Sequence, residues 1–278
     1  MSSNEGVAAA LARLYDLDLV EDPGDLDLYL ALAARSGGPV LELAAGSGRI
    51  AVPLAAAGHA VVAVDRDPAM LARAGARRTA AGAETAARLR LVEADVVGLA
   101  LEEGPGFRLA ILALNSLMLF PDRPAQRAAI AALARHLAPG GLAVVDVWLP
   151  DGLTLARYDG RLVLEYLRRD PESGRDVAKT AAAFHDPASG SVDLVTLYDE
   201  AVAGAAPVRW TRRDRLRLVG ADELRALAEE SGLRVETLAG GYDLAPLGPG
   251  DERAVLIAAR PPGQPAGRAR WPRPESPP

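Results

Sequence analysis

Two carboxylates, Glu42 and Asp65, each close an apolar run, and a turn of small residues, Ala44-Ala45-Gly46-Ser47-Gly48, follows the first of them. Glycines at 46 and 48 remove the Cβ that would hold a ligand away from the backbone. An acid at the tip of a second strand accepts two hydrogen bonds from a ribose diol, and bonds to a charged acceptor contribute roughly 1.5–3 kcal/mol each. Strand, tight turn, helix and strand in this order form a unit shaped for a nucleotide-like ligand. Gly46-Ser47-Gly48-Arg49-Ile50-Ala51 also fits the G-x-G-x-x-A pattern of dinucleotide sites, so a nicotinamide-dependent oxidoreductase is one reading. Glu42, four residues before Gly46, argues against it. A carboxylate there repels a pyrophosphate and suits a ligand with a cationic ammonium and no phosphate.

S-adenosylmethionine has that chemistry: ribose, adenine, a sulfonium and an amino-acid tail. Composition narrows the alternatives. The net charge of −6 lacks the clustered positive excess of a nucleic-acid surface, so no nucleic-acid partner is expected. There is no cysteine, and the three histidines, His59, His136 and His185, are widely spaced, so no metal site is expected. Apolar runs break well before the ~20 residues of a membrane span, and residues 1–6 are polar with no apolar signal region behind them. The expectation is a cytoplasmic protein, monomer or homodimer, with no membrane partner.

The elements that must position these residues follow from periodicity and punctuation. Helices are predicted at 7–15 and 26–35, ahead of the strand ending at Glu42. Ser47 is the predicted cap of the next helix, and Asp67-Pro68 opens another, aspartate at the N-cap and proline in the first turn. Strands follow at 88–92 and 108–114, a helix starts at Asp122 or Arg123, and Pro139-Gly140-Gly141 turns into a strand at 142–148. Alternating strands and helices imply a parallel, doubly wound sheet. Between 161 and 219 the pattern changes to four strand-like runs separated by turns such as Asp170-Pro171-Glu172-Ser173-Gly174. That is an antiparallel meander inserted before a helix at 221–231 and strands at 233–238 and 254–259. The predicted organisation is a helical cap (1–38), a Rossmann-like domain (39–150 with 220–260), an antiparallel β insert (151–219) acting as acceptor pocket or lid, and a Pro- and Arg-rich tail (261–278) expected to be disordered.

The sequence resembles the class I S-adenosylmethionine-dependent methyltransferases of small-molecule type. ELAAGSG matches their first motif except that Ala44 stands where the first glycine belongs. VVAVDRDPAML, with Asp65 and Arg66, is similar to the second motif, and EADV, with Asp95 and Val96, to the third. LAILALNSLMLF and LAPGGLAVVDVW resemble the fourth and fifth strands, and GADELRALAEESGLRVETL the last helix and strand. The resemblance implies an α/β fold: a mostly parallel seven-stranded Rossmann-like sheet with an antiparallel β insert and an N-terminal helical cap. It implies S-adenosylmethionine as cofactor and methyl transfer to nitrogen or oxygen of a small-molecule acceptor. The NSLM segment lacks the Pro-Pro-aromatic strip of methyltransferases acting on DNA bases. A cofactor-binding regulatory subunit without an acceptor pocket is the non-enzyme reading.

The cofactor-binding set implied in this way is Tyr15, Glu42, Ala44, Gly46, Gly48, Asp65, Arg66, Asp95, Val96 and Asn115, with Asp95 meeting the adenine amino group and Tyr29 a lesser contact. Ser116, Arg213, Arg215 and Tyr242 are the acceptor-side candidates. Arg213, Arg215 and Arg217 alternate and so share one strand face, either a solvated face or a cationic wall for an acidic acceptor. No residue is a committed base. His185 and Tyr15 are the candidates, and His185, just before an Asp-Pro turn, also reads as an exposed turn residue.

Overall fold

The computed structural model describes residues 3–21, 23–101, 106–202, 204 and 206–263. Two helices, α1 (Ser3–Asp18) and α2 (Leu26–Ser36), lead into β1 (Val40–Leu43), α3 (Ala51–Ala56), β2 (Val61–Asp65), α4 (Pro68–Ala80), α5 (Ala83–Arg88), β3 (Leu89–Glu93) and β4 (Phe107–Leu112). A 3₁₀ turn (Ser116–Leu119), α6 (Arg123–His136), β5 (Leu137–Trp148) and α7 (Gly152–Ala156) follow. Then come β6 (Asp159–Arg169), β7 (Asp176–Asp186), β8 (Ser191–Glu200), β9 (Val208–Arg217), α8 (Ala221–Glu230), β10 (Arg234–Ala239) and β11 (Arg253–Ala259).

Seven strands form one sheet in the order β10-β11-β5-β4-β1-β2-β3, with β11 alone antiparallel to its neighbours. Every residue of β1 is buried, as are Val61–Val64 and Leu109–Leu112, because helices cover both faces. On one face Leu41, Leu43, Phe107, Leu133 and Leu227 pack together; on the other, Tyr29, Leu32, Leu54, Ile111 and Ile257. The strand order reverses between β1 and β4, which opens a crevice at their carboxyl ends. The expected doubly wound sheet is therefore the observed one.

The starts of α4 and α6 follow the sequence reading. Asp67 accepts a hydrogen bond from the Ala69 amide at 2.8 Å and Asp122 one from the Ala125 amide at 2.8 Å, each with a proline in the first turn. Ser47 does not cap α3. The chain turns through residues 46–50 before that helix begins, and the Ser47 hydroxyl donates to Asp16 of α1 at 2.5 Å. β5 starts at Leu137, before the Pro-Gly-Gly turn rather than after it, because Leu137 already pairs with Phe107.

The second sheet is the antiparallel meander β6-β7-β8-β9. On one face, Val177 and Tyr198 pack against Leu14 and Leu17 of α1. Asp18 of α1 receives bonds from the Tyr166 and Tyr198 hydroxyls, both 2.7 Å, and from Lys179 at 3.0 Å. Arg13 ion-pairs with Asp170 and Glu200. Helix α1 thus ties the second sheet to the crevice of the first. Among the described residues no helix is long and apolar enough to cross a membrane. Residues 264–278 of the expected tail lie outside the described residues.

Candidate active site

The crevice at the carboxyl ends of β1, β2 and β4 holds a cavity of about 400 Å³. Tyr15, Ala44, Gly46, Asp65, Arg66, Asp95, Val96 and Ser116 line it, with Asp67, Met70, Leu119, Phe120 and Arg212. Seven of the ten expected cofactor residues meet here, brought from α1 and from the loops after three strands. Gly46 has φ +55, and the nearest atom to a Cβ built there is a Tyr15 ring carbon at 3.9 Å. Its freedom serves the turn conformation and leaves the wall open to a ligand. Ala44 holds φ 53, also left-handed, at the position where the resembling motif has glycine.

Asp65 is held by its own turn. One carboxylate oxygen accepts from the Gly46 amide at 2.7 Å and the other from the Asp67 amide at 2.9 Å. Each oxygen keeps a further lone pair for a ligand hydroxyl. Asp95 accepts from the Val97 amide at 2.8 Å through one oxygen.

A narrower cleft continues from the cavity and is lined by Tyr15, Glu42, Ala44, Ser47, Arg49, Leu114 and Ser116. Glu42 is buried, and its Oε2 has no hydrogen-bond partner. Burial pushes its carboxyl up to about 8, against the opposing pull of Arg49 and of a hydrogen bond from the Ala51 backbone. Arg49 stands beside it, its guanidinium bonded bidentately to buried Asp25 at 2.6 Å on each side. An unpartnered carboxylate oxygen next to an anchored guanidinium matches the ammonium and carboxylate of an α-amino acid. With Asp65 facing the adjoining cavity, the donor set fits S-adenosylmethionine from amino acid to ribose.

The wall over this site is α1. Asp16 accepts from Ser47, from Arg73 and from Arg77 at 2.9 Å, and Arg73 also reaches Glu172 on the β6–β7 turn at 2.8 Å. These bonds set Tyr15 between the two cavities. Burial pushes the Tyr15 phenol up, which keeps it protonated and suits it to donating a hydrogen bond.

Several expected residues stand elsewhere. Gly48, φ +77, packs under the turn: a Cβ there would come within 3.1 Å of Ala74. Asn115 has φ 63 and a buried Oδ1 without a partner, and it lines neither cavity. Tyr29 is fully buried and donates to Asp146 at 2.8 Å. Tyr242 donates to the other Asp146 oxygen at 3.0 Å, and Arg253 pairs with it too, so both tyrosines brace β5 from behind the site. His185 sits at the end of β7, away from both cavities, its amide bonded to the Tyr158 carbonyl. Arg213 and Arg215 do share a face, as expected, but it is the face turned away from the cavity. Arg212 is the β9 arginine that lines it, 5.8 Å from the Tyr15 ring centroid and paired with Asp214 at 2.7 Å. Sequence reasoning passed over Arg49 and Arg212, although Arg49 stands directly after Gly48 in the glycine-rich turn.

Residues 40–141 match the family described as "Methyltransferase domain". Over that span the chain is similar to a methyltransferase domain. The matched span runs from β1 through the Pro-Gly-Gly turn and contains the two acids and the turn between them. An uncharacterized protein of Mycobacterium tuberculosis is 39% identical over 118 residues, 42% of this chain and 40% of that protein, so the chain spans well under half the length of this relative. The cypemycin N-terminal methyltransferase of a Streptomyces species is 29% identical over 206 residues, 74% of this chain and 76% of the relative. Among solved structures, the CcbJ methyltransferase of Streptomyces caelestis superposes with a TM-score of 0.72 at 22% identity, covering 86% of this chain and 96% of that one. The sugar N-methyltransferase KedS8 of a Streptoalloteichus species gives 0.69 at 22%, covering 89% and 92%. The chain thus shares its fold with these methyltransferases over most of its length.

Proposed function

We propose that the chain is an S-adenosylmethionine-dependent methyltransferase acting on a nitrogen or oxygen of a small molecule. The observation that carries this reading is the buried, unpartnered Oε2 of Glu42 beside Arg49, in a cleft continuous with the cavity of Asp65. Glu42 takes the ammonium, Arg49 the amino-acid carboxylate, Asp65 the ribose diol, and Asp95 with Val96 the adenine. When bound, S-adenosylmethionine supplies a methyl group on a sulfonium that is already a good leaving group. The chain's own contribution is proximity and alignment, which are worth about 7–11 kcal/mol for well-oriented groups. Tyr15 and Ser116, at the junction of the two cavities, orient the acceptor, and α1 excludes water. An uncharged amine needs no base from the protein, which agrees with a cavity lined by no histidine among the described residues.

In this reading residues 1–38 are a cap, 39–150 with 220–260 hold the cofactor, and 151–219 shape the acceptor side. KedS8 is named a sugar N-methyltransferase and the cypemycin relative an N-terminal methyltransferase, which supports nitrogen as the acceptor atom. The test is adenosylhomocysteine release over a panel of small amines, amino sugars, peptides with free N-termini and phenols, with thermal shifts by S-adenosylmethionine and NAD alongside. Stabilisation by S-adenosylmethionine and turnover of at least one acceptor are expected. Stabilisation by NAD alone would restore the oxidoreductase reading. Cofactor binding with no turnover across the panel would favour the regulatory subunit.

A further inference from the structure

We infer that Asp146 is a positioning residue: it holds the chain after β4 in a strained turn that sets Ser116 and the following 3₁₀ turn against the acceptor. The inference rests on the function proposed above. Asp146 lies in the run Val144-Val145-Asp146-Val147 of β5, where both sheet faces are covered and an apolar side chain is the usual occupant. It is fully buried. It shares the sheet face of Val144, which is the face of Tyr29 and α2. Four donors from four parts of the chain fill its carboxylate. Oδ1 accepts from the Tyr29 hydroxyl and from the Leu114 amide, both at 2.8 Å. Oδ2 accepts from the Tyr242 hydroxyl at 3.0 Å and from the Arg253 guanidinium. A carboxylate has about four acceptor sites, so none is left for a ligand. Stability does not account for the acid, because a buried ion pair seldom stabilises a fold more than apolar residues of the same shape. Of the four donors, only the Leu114 amide belongs to the backbone of the site.

That backbone is strained. The described non-glycine residues with left-handed φ are Ala44, Leu114, Asn115 and Leu244. Leu114, at φ 51, and Asn115, at φ 63, are consecutive. Asparagine tolerates this region; leucine does not, because its Cβ crowds the following carbonyl. Such a conformation persists only where its surroundings fix it, and it gathers at functional sites. Here Asp146 fixes the amide of the strained leucine. Beyond it, the Ser116 amide donates to the Ala113 carbonyl at 3.1 Å and the Met118 amide to the Asn115 carbonyl at 2.8 Å. The reversed pair swings the chain across the end of β4. Ala113, Leu114 and Ser116 then line the narrow cleft, and Ser116, Leu119 and Phe120 line the larger cavity. Relaxing Leu114 to negative φ would rotate the next peptide and carry Ser116 away from the junction of the two. Glu42, Arg49 and Asp65 stand on β1, β2 and the turn between β1 and α3, outside this chain of bonds, so Asp146 governs the acceptor side.

The test compares Asp146→Asn with Asp146→Val, each combined with Arg253→Met so that no guanidinium loses its partner. The asparagine keeps an oxygen for the Leu114 amide; the valine does not. Hydrogen exchange over residues 113–119 is read in the full chain, beside acceptor turnover and S-adenosylhomocysteine affinity. In the valine form exchange at 113–119 should be at least about tenfold faster than in the asparagine form, and kcat/KM for an accepted amine at least about tenfold lower. The cofactor-product Kd should stay within about threefold in both, the size of change left when no direct contact is lost. Adding Leu114→Gly, which adopts the left-handed region without a Cβ penalty, should shrink the turnover loss to about threefold or less. Tyr29→Phe and Tyr242→Phe leave the Leu114 bond in place; they should lower the melting temperature yet keep turnover within about twofold. Equal exchange in the valine and asparagine forms would overturn the inference. A tenfold loss of turnover in either phenylalanine variant would overturn it too, and decides the matter if the valine form does not fold. A wild type that turns over no acceptor would fail the proposed function instead, and exchange at 113–119 would still decide the role of Asp146.

Discussion

The two sheets differ in what holds their residues in place. In the seven-stranded sheet the strands are buried on both faces, and the groups facing the cavity come from the turns that close those strands. Glu42, Gly46 and Asp65 are positioned by backbone within a span of 24 residues, 42 to 65. In the four-stranded sheet each strand has one face on α1 and one open, and the inner face is pinned by long-range bonds such as Tyr198 to Asp18. A site built from local turns reads as a motif. A site built from sheet parity and a docked helix reads only through its contacts. The cofactor side belongs to the first kind and the acceptor side to the second.

Breaking the local half should have the largest effect. Asp65→Ala removes the diol acceptor and frees the Gly46 and Asp67 amides, and should weaken S-adenosylhomocysteine binding by about 2–4 kcal/mol. Titration calorimetry on folded variant protein measures this, and unchanged affinity would remove Asp65 from the site. Glu42→Gln should come next. In the ligand-free protein the Glu42 carboxyl keeps its proton up to about pH 8. An arriving ammonium favours the carboxylate, so binding at pH 7 should release a proton, and affinity should rise between pH 6 and pH 8. Calorimetry in buffers of different ionisation enthalpy reads the proton count, and Glu42→Gln should lose both effects. The same raised value makes the ligand-free fold bind an extra proton between the unfolded carboxyl's ordinary range and about 8. That stability is fully present at acid pH and is lost as pH rises through about 8. A thermal-melting series should show the decline in wild type and a flatter profile in Glu42→Gln.

On the other half, neighbouring arginines provide the contrast. Arg212→Ala should raise the Michaelis constant of an accepted substrate about tenfold, the loss of one charged contact. Arg213→Ala, one residue along and on the opposite face, should stay within about twofold. Equal effects of the two would mean that strand parity does not divide the acceptor side as described. The smallest change tests the turn itself. Ala44→Gly relieves a left-handed alanine and should stabilise the protein by about 0.5–1 kcal/mol after the added freedom of the unfolded chain is counted, seen as a higher melting temperature. A lower one would show that the Ala44 methyl packs usefully against the core cluster it touches.

The parts legible in the sequence were those with local causes. Apolar runs ending in acids, Asp-Pro helix starts and Gly-containing turns placed the strands, the caps of α4 and α6 and the meander within a few residues. Arg213 and Arg215 were correctly assigned to one face, but choosing between the two faces requires the location of α1, and a one-residue step reverses every side chain. Tyr29 and Tyr242 were site candidates only through the family resemblance. Their partner is Asp146, a carboxylate inside the apolar run of β5 that also receives the Leu114 amide at 2.8 Å. A lone acid in a buried strand must be bonded from somewhere, and that was the available signal. Ser47 was read as a cap because capping is what a serine after a strand does locally; its bond to Asp16 spans 31 residues.

The central claim is that the cofactor lies between Glu42 and Asp65 under α1, and that the second sheet meets the acceptor rather than the cofactor. Hydrogen–deuterium exchange with and without S-adenosylhomocysteine tests it most directly. Protection is expected in the turn from Ala44 to Arg49, at Asp65 to Asp67, around Asp95 to Val97 and in α1 near Tyr15, with β7 and β8 unchanged. Protection centred on β7 and β8, with none in the Ala44–Arg49 turn, would contradict it.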